Sequence, residues 1–325
     1  ALGGWLRGAA PAQVDLRADH RGAPHLPGGA SAKLKQDAAG LAGARAPLAD
    51  GQIMGQQCYD ATLAALQAGY RHIDTAQAYG NEREVGLAIQ SSGVPRQELF
   101  IATKISDPDE YGALEKRLEA QLAALGTDYL DLYMLHSPGD DKAGREAAWR
   151  TMESLHAQGK VRSLGVSNFG VAELQELLSF ARVRPVYLQN KFSVYSPGEQ
   201  QVGKENILAF AREHSIQVMG YSVINPWPLM LPPMEDPHVR AVAGRVGKSP
   251  AQVLHRWALQ LGVAVIPKSA TPARIAQNAQ ILDFELSEMD MRLLSGLVAL
   301  GETVAGGTLS PAWADDVYGI NAVAL

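Results

Sequence analysis

Four polar side chains lie at or just after the ends of short apolar stretches in the first half of the chain. Asp74 ends "RHID", Tyr79 follows in the next turn, Lys104 ends "FIATK" and His136 ends "YMLH". If consecutive parallel strands carry them, the carboxyl ends of those strands bring the four side chains to one mouth. Taken alone, Asp74 could cap a helix, Lys104 could be a surface charge and His136 could be a core histidine.

Together these residue types can transfer a proton to a carbonyl oxygen. A phenol has a pKa of about 10, which is too high for efficient proton exchange near neutral pH. An ammonium beside Tyr79 favours the phenolate and lowers that value, and a carboxylate paired with Lys104 keeps the ammonium charged and fixed. His136 would hydrogen-bond the arriving carbonyl oxygen and orient it.

The attacking group must come from outside the chain. The sequence contains no G-x-S-x-G serine elbow and no H-E-x-x-H pair, and no metal ion is expected. Activation of a carbonyl without a protein nucleophile therefore predicts a hydride delivered by a nicotinamide cofactor.

The elements that position these residues alternate along the chain. Amphipathic patterns such as residues 112–125 and 144–158 predict helices, because apolar residues return every three or four positions. Between the helices, seven apolar stretches about 30 residues apart predict parallel strands. They are "RHIDTA" at 71, "LFIATKI" at 99, "YLDLYMLH" at 129, "RSLGVSN" at 162, "VYLQNKF" at 186, "QVMGYSVI" at 217 and "VAVIPKS" at 263.

With an eighth strand before residue 55, this pattern predicts an α/β protein of the (β/α)8 TIM-barrel class. A doubly wound sheet is the alternative, but its first strand should be followed by G-x-G-x-x-G, and that motif is absent there. Two segments fall outside the repeat. They are a Pro-rich lid loop and extra helix at 225–247, and a C-terminal helix at 287–298.

Composition indicates a globular protein that binds small molecules. The chain has 325 residues, a net charge of -5 and one cysteine, Cys58. These values favour neither nucleic acid nor a membrane as partner, and they give no disulfide framework. We expect one domain overall, with a divergent N-terminal segment at 1–54 and the barrel at 55–325. A cytoplasmic location is expected, with an organelle after removal of a transit peptide as the alternative.

Six ordered blocks carry a resemblance to a known family. They are "GYRHIDTAQAYGNEREVGLAI" at 69, "FIATK", "DLYMLHSP", "GKVRSLGVSNF" at 159, "YLQNKF" and "VIPKSATPARIAQN" at 265. From about residue 56 to 297 the sequence resembles the aldo-keto reductase superfamily. The resemblance implies a (β/α)8 barrel that reduces aldehydes and ketones with NADPH. The catalytic tetrad of that superfamily matches the four residues named at the start, Asp74, Tyr79, Lys104 and His136.

The resemblance also implies which residues hold NADPH. Ser167, Asn168 and Gln189 match positions that bind the nicotinamide carboxamide. Tyr221 matches the residue that stacks on the nicotinamide ring, and Ser222 a pyrophosphate contact, although "YSVI" stands where "YSPL" is common.

A second group matches the adenosine end of the cofactor. Lys268, Ser269 and Arg274 match the positions that bind the 2'-phosphate. Two cations and a hydroxyl suit a dianionic phosphate, which favours NADPH over NADH. Asn278 matches an adenine contact.

The opening of the chain departs from the superfamily pattern. Either "HRGAPHLPGGAS" at 20–31 or "GLAGARA" at 40–46 could supply the first strand. In the lid segment, Trp227, Leu229, Met230 and Leu231 could line the cleft or pack on the barrel rim, and Trp313 and Tyr318 could reach the cleft.

Two functions therefore stay open. The first is a monomeric reductase. The second is a catalytically weak or inactive barrel with a cofactor-sensing, structural or assembly-subunit role.

Overall fold

Eight parallel strands form one sheet whose order follows the chain. The computed structural model describes residues 53–105, 113–139, 141–198, 206–224 and 232–297, together with the backbone of 41–42. The strands are β1 (Leu41–Ala42), β2 (His72–Asp74), β3 (Phe100–Ile105), β4 (Leu132–Leu135), β5 (Leu164–Ser167), β6 (Tyr187–Lys191), β7 (Gln217–Tyr221) and β8 (Ala264–Val265). All seven predicted strands are confirmed. β1 lies in "GLAGARA", the second of the two stretches considered for the first strand.

Helices alternate with the strands as the amphipathic patterns predict. The described α-helices are α1 (Gly55–Gln67), α2 (Glu82–Ser92), α3 (Leu114–Leu125), α4 (Lys142–Ala157), α5 (Val171–Phe180), α6 (Ile207–Glu213), α7 (Pro237–Val246), α8 (Pro250–Gln260), α9 (Pro272–Ala279) and α10 (Glu288–Ser295). The extra helix expected within 225–247 is α7, and the C-terminal helix expected at 287–298 is α10. The predicted cleft residues Trp227, Leu229, Met230, Leu231, Trp313 and Tyr318 lie outside the described residues, as does most of 1–54.

Local sequence sets where several helices begin. The side chains of Asp236, Ser249 and Ser287 accept hydrogen bonds from the first backbone N–H groups of α7, α8 and α10. Pro237 and Pro250 then occupy the first helical position, where the missing N–H costs nothing. These capping contacts fix the residues at which α7, α8 and α10 begin.

The sheet curls so that strands distant in its order face one another. Gln189 Nε2 in β6 donates to Asp74 Oδ2 in β2 at 2.8 Å, so strands four places apart in the sheet meet across its interior. A second contact joins the first and last parts of the sheet. The hydroxyl of Tyr70, just before β2, donates to the carbonyl oxygen of Ile275 in α9, the helix that follows β8. These contacts confirm the predicted (β/α)8 class.

Apolar residues fill two layers. Alternate strand residues point inward and form a small cluster inside the barrel, made of Ala102, Leu132, Met134, Tyr187, Met219 and Ile266. The larger layer lies between strands and helices, where the ring of Phe192 stacks on Trp257 at a centroid distance of 5.1 Å. This division follows from the period of two in a strand.

One glycine controls how closely two of the surrounding helices approach. A Cβ added at Gly86 in α2 would lie 2.8 Å from the backbone carbon of Leu125, at the end of α3. Because real Cβ atoms do not make such short contacts, only glycine permits this packing. The close approach helps bring the polar side chains of Glu82 and Gln121, on these two helices, into contact.

Within the described residues, no helix combines the length and the apolar character that a membrane crossing requires.

Candidate active site

A buried ion pair joins the ends of β2 and β3. Lys104 Nζ donates to Asp74 Oδ1 at 2.6 Å and to the carbonyl oxygen of Thr75 at 3.0 Å. The side chains of Lys104 and Asp74 are 0% and 1% exposed. Lys104 is therefore not a surface charge, and the Asp74 carboxylate is directed into the barrel rather than onto a helix end.

The surroundings keep Lys104 charged. Burial alone would lower the pKa of this ammonium, because it removes the charge from water. The Asp74 carboxylate and Tyr79 act in the opposite direction by charge and by hydrogen bonding, and the net effect is a raised pKa for Lys104. The group is thus held as an ammonium at neutral pH.

Tyr79 and His136 face this ion pair. Tyr79 is the last residue of a short 3-10 turn, Gln77–Tyr79, and is 8% exposed. Lys104 makes a side-chain hydrogen bond with Tyr79, and its Nζ lies 5.3 Å from the centroid of the phenol ring. The imidazole of His136 meets that ring edge-on, at a centroid distance of 5.8 Å. The structure therefore brings all four predicted residues together.

The residues expected at the nicotinamide form one hydrogen-bonded chain with this group. Asn168 Nδ2 donates to the carbonyl of His136 at 2.8 Å, and Tyr221 donates to Asn168 Oδ1 at 2.7 Å. Ser167 Oγ donates to the carbonyl of Gln189 at 2.8 Å. Gln189 in turn holds Asp74, a contact that the sequence did not predict.

Two of the residues expected to contact the cofactor occupy the left-handed backbone region. Asn168 has a φ of 62° and Ser222 a φ of 57°, directly after β5 and β7. Such φ values are uncommon outside glycine and concentrate at functional sites. They turn the chain sharply at the mouth of the barrel.

The segment after β8 carries the residues expected at the 2'-phosphate. Lys268 Nζ is buried and has no hydrogen-bond partner among the described residues. Burial lowers the pKa of Lys268 to about 8. Ser269 Oγ accepts a hydrogen bond from the backbone N–H of Thr271 just before α9, while Arg274 on the first turns of that helix is exposed. Asn278 is buried near the end of α9.

This segment fits an anionic group. A buried ammonium without a counter-charge is costly, and an anion that reaches it removes the cost. Arg274, six residues further on, is exposed and adds a second positive charge to the same segment.

One further cation at the mouth was missed from the sequence. Lys191 ends β6 and pairs in register with Tyr221, two residues beyond Gln189 on the same face of the strand. Burial lowers the pKa of Lys191 to about 8. The period of two in "YLQNK" was the signal, since it puts Lys191 on the inward face that carries Gln189.

Comparison with known proteins agrees with this geometry. The model of the Aldo/keto reductase family matches residues 40–226 and 234–299, which is more than half of the chain. The chain belongs to this family. Its members are reductases that reduce carbonyl compounds with NADP(H).

Relatives of this aldo/keto reductase come from distant organisms. It is 40% identical to a glyoxal reductase of Bacillus subtilis, over 75% of this chain and 84% of the relative. It is 36% identical to aldo-keto reductase family 1 member A1 of Xenopus tropicalis, over 74% of this chain and 81% of the relative.

Solved structures show the same fold. An aldo/keto reductase from Brucella melitensis matches with a TM-score of 0.70 and 36% identity, covering 80% of this chain and 93% of the other. A Bombyx mori aldo-keto reductase in complex with NADP matches with a TM-score of 0.70 and 32% identity, covering 79% and 87%.

Proposed function

We propose that this aldo/keto reductase reduces an aldehyde or ketone to an alcohol with NADPH, and that Tyr79 supplies the proton. The observation that carries the proposal is the buried Asp74–Lys104 pair placed against Tyr79, with His136 at the edge of the phenol ring. Removing both charges of an ion pair from water is expensive, and well-packed apolar residues of similar volume often stabilise a fold equally well, so stability alone does not account for this pair.

Each of the four residues then has one task in proton transfer. Tyr79 donates its hydroxyl proton to the carbonyl oxygen as that oxygen gains negative charge. The Lys104 ammonium stabilises the phenolate that remains, and Asp74 keeps the ammonium in place. The imidazole of His136 orients the carbonyl oxygen toward Tyr79.

Residues on β5, β6 and β7 would hold the nicotinamide. When bound, that ring supplies the hydride that reduces the carbonyl carbon. Ser167, Asn168 and Gln189 carry the amide and hydroxyl groups that a carboxamide needs as partners. The ring of Tyr221 offers a flat surface for stacking, and Ser222 lies beside it at the mouth.

The preference for NADPH is assigned to the segment after β8. Lys268 offers a buried ammonium that no described residue neutralises. Ser269 and Arg274 add a hydroxyl and a guanidinium, and the buried Asn278 would contact adenine. A 2'-phosphate would provide the counter-charge that Lys268 lacks, whereas NADH has no such group.

Small dicarbonyl compounds and aldehydes are the first substrates to test, because a relative 40% identical to this chain is a glyoxal reductase. Glyoxal, aromatic aldehydes, diketones and keto-sugars together sample size and polarity.

The test is the fate of the hydride. NADPH carrying deuterium at the transferable position of the nicotinamide is mixed with each carbonyl compound, and the alcohol is analysed by mass spectrometry. We expect one deuterium on the carbinol carbon with the wild-type protein and none with Tyr79→Phe. Saturable NADPH binding without labelled alcohol from any compound would favour the noncatalytic alternative and overturn the proposal.

A further inference from the structure

A buried carboxyl group lies behind the strand that carries Lys104. Glu82, the first residue of α2, is 8% exposed. Its Oε1 accepts hydrogen bonds from Thr103 Oγ1 at 2.6 Å and from Gln121 Nε2 at 2.8 Å. The ion pair and the nicotinamide contacts described above do not include this group.

The cluster is tied to Lys104 through the backbone. Gln121 Nε2 in α3 also donates to the carbonyl oxygen of Lys104, at 3.2 Å. Tyr133 in β4 donates to Gln121 Oε1 at 2.8 Å and holds that amide in place. Because side chains alternate along a strand, Thr103 faces the helices while Lys104 faces the barrel interior. The cluster therefore contacts the backbone of Lys104 on the helix side of the sheet, while the ammonium of Lys104 lies on the interior side.

The hydrogen bonds to Glu82 favour its ionised form. An O–H···O distance of 2.6 Å is typical of a hydrogen bond to a charged carboxylate, and two donors share this one oxygen. Burial raises the pKa of Glu82 and is the largest effect; Thr103, Gln121 and the charge of Lys104 offset it only in part, so the pKa lies above the ordinary value. The opposing charge that affects Glu82 is therefore the Lys104 ammonium itself, which Asp74 contacts from the other side.

We propose that Glu82 is a positioning residue for the proposed reduction, an ionised carboxylate that fixes the Thr103–Lys104 segment and acts as a second anion favouring the Lys104 ammonium. This inference rests on the proposed function, in which that ammonium stabilises the Tyr79 phenolate. Glu82 does not touch the substrate.

Glu82→Gln separates charge from hydrogen bonding, because the glutamine oxygen can still accept from Thr103 and Gln121. We expect kcat/KM for the carbonyl substrate to fall by about 10-fold, with little change in NADPH affinity. Loss of a nearby anion makes both the ammonium and the phenol easier to deprotonate. The basic limb of the pH profile should therefore move to lower pH, by about half a unit.

Glu84→Gln is the matched control, since it removes the same charge from the same helix outside the hydrogen-bonded cluster. It should leave the rate and the pH profile as in the wild type. Equal profiles for wild type, Glu82→Gln and Glu84→Gln would overturn the proposal.

A second measurement does not depend on turnover. Ultraviolet difference spectra follow tyrosinate formation as pH rises, and subtraction of the Tyr79→Phe spectrum isolates Tyr79. In Glu82→Gln this ionisation should move to lower pH, and an unmoved titration contradicts the inference even if no carbonyl substrate is ever reduced.

Circular dichroism shows whether Glu82→Gln folds. If it does not, Gln121→Met removes the contact to the Lys104 carbonyl at similar side-chain length. A lowered kcat with unchanged NADPH affinity then supports the proposal, and a wild-type kcat overturns it.

Discussion

Two lysines at the mouth of the same barrel lie in opposite electrostatic environments. Lys104 is fully buried, contacts Asp74 at 2.6 Å and has a raised pKa. Lys268, after β8, has a buried Nζ with no partner among the described residues, and burial lowers its pKa to about 8. Within the part of the chain that the structure describes, Lys104 has a counter-charge and Lys268 has none.

The difference separates two tasks. A group that acts in every turnover must be fixed before substrate arrives, because rearranging charges during the reaction raises its barrier. A group that recognises a dissociable anion must lack an internal partner, because an internal carboxylate would compete with the ligand. Lys104 fits the first description and Lys268 the second, so their substitutions should have different kinetic signatures.

Lys104→Met should give the largest effect. Without the ammonium, Tyr79 loses the charge that stabilises its phenolate, and kcat should fall by about 10³-fold or more. NADPH affinity, measured by quenching of protein fluorescence, should stay near the wild-type value. If Lys104→Met keeps the wild-type kcat and only raises KM, Lys104 does not take part in proton transfer.

Asp74→Asn should mainly reduce stability. It leaves the Lys104 ammonium buried with a neutral partner, which costs about 3 kcal/mol of unfolding free energy, measured in urea. Since Asp74 raises the folded-state pKa of Lys104 above its unfolded value, the pair stabilises the protein below the unfolded pKa of Lys104. That stabilisation is lost as pH rises through the folded pKa, so the variant and the wild type should converge at strongly alkaline pH. An equal loss at every pH would contradict this origin.

Lys268→Met should change cofactor choice and leave the chemistry intact. Loss of one charge-assisted contact to the 2'-phosphate should reduce the preference for NADPH over NADH by about 10- to 100-fold in kcat/KM. At saturating NADPH, the kcat of Lys268→Met should equal that of the wild type, whereas the kcat of Lys104→Met should stay low at any NADPH concentration. An unchanged cofactor preference would exclude Lys268 from the phosphate site.

The smallest predicted effect is the pH dependence of NADP+ binding. Below about pH 8 Lys268 is an ammonium in the free protein, and the phosphate can pair with it. A bound phosphate raises the pKa of Lys268, so the Kd for NADP+ should rise by several-fold as pH rises above about 8. NAD+ lacks the phosphate, and Lys268→Met lacks the amine, so neither should show this dependence in calorimetry.

The strand pattern and motif order predicted most of this arrangement. The seven apolar stretches became β2 to β8 because parallel strands apolar on both faces leave a strong local signal. Asp74 and Lys104 end such strands, so the barrel class alone predicted that they would meet.

Contacts between distant elements left no comparable signal. The bond from Gln189 to Asp74 depends on how tightly the sheet curls, and the sequence does not encode that locally. The Glu82 cluster depends on the approach of α2 to α3 at Gly86, which a single glycine in a helical pattern does not reveal. Lys191 could have been found, because strand alternation places it beside Gln189.

The most direct test of the account is a single-turnover comparison of wild type and Tyr79→Phe, with NADPH binding and NADPH oxidation followed in the same mixing experiment. We expect equal NADPH binding in both proteins and carbonyl-dependent NADPH oxidation only in the wild type. Oxidation by Tyr79→Phe at the wild-type rate would show that Tyr79 is not the proton donor and would contradict the account.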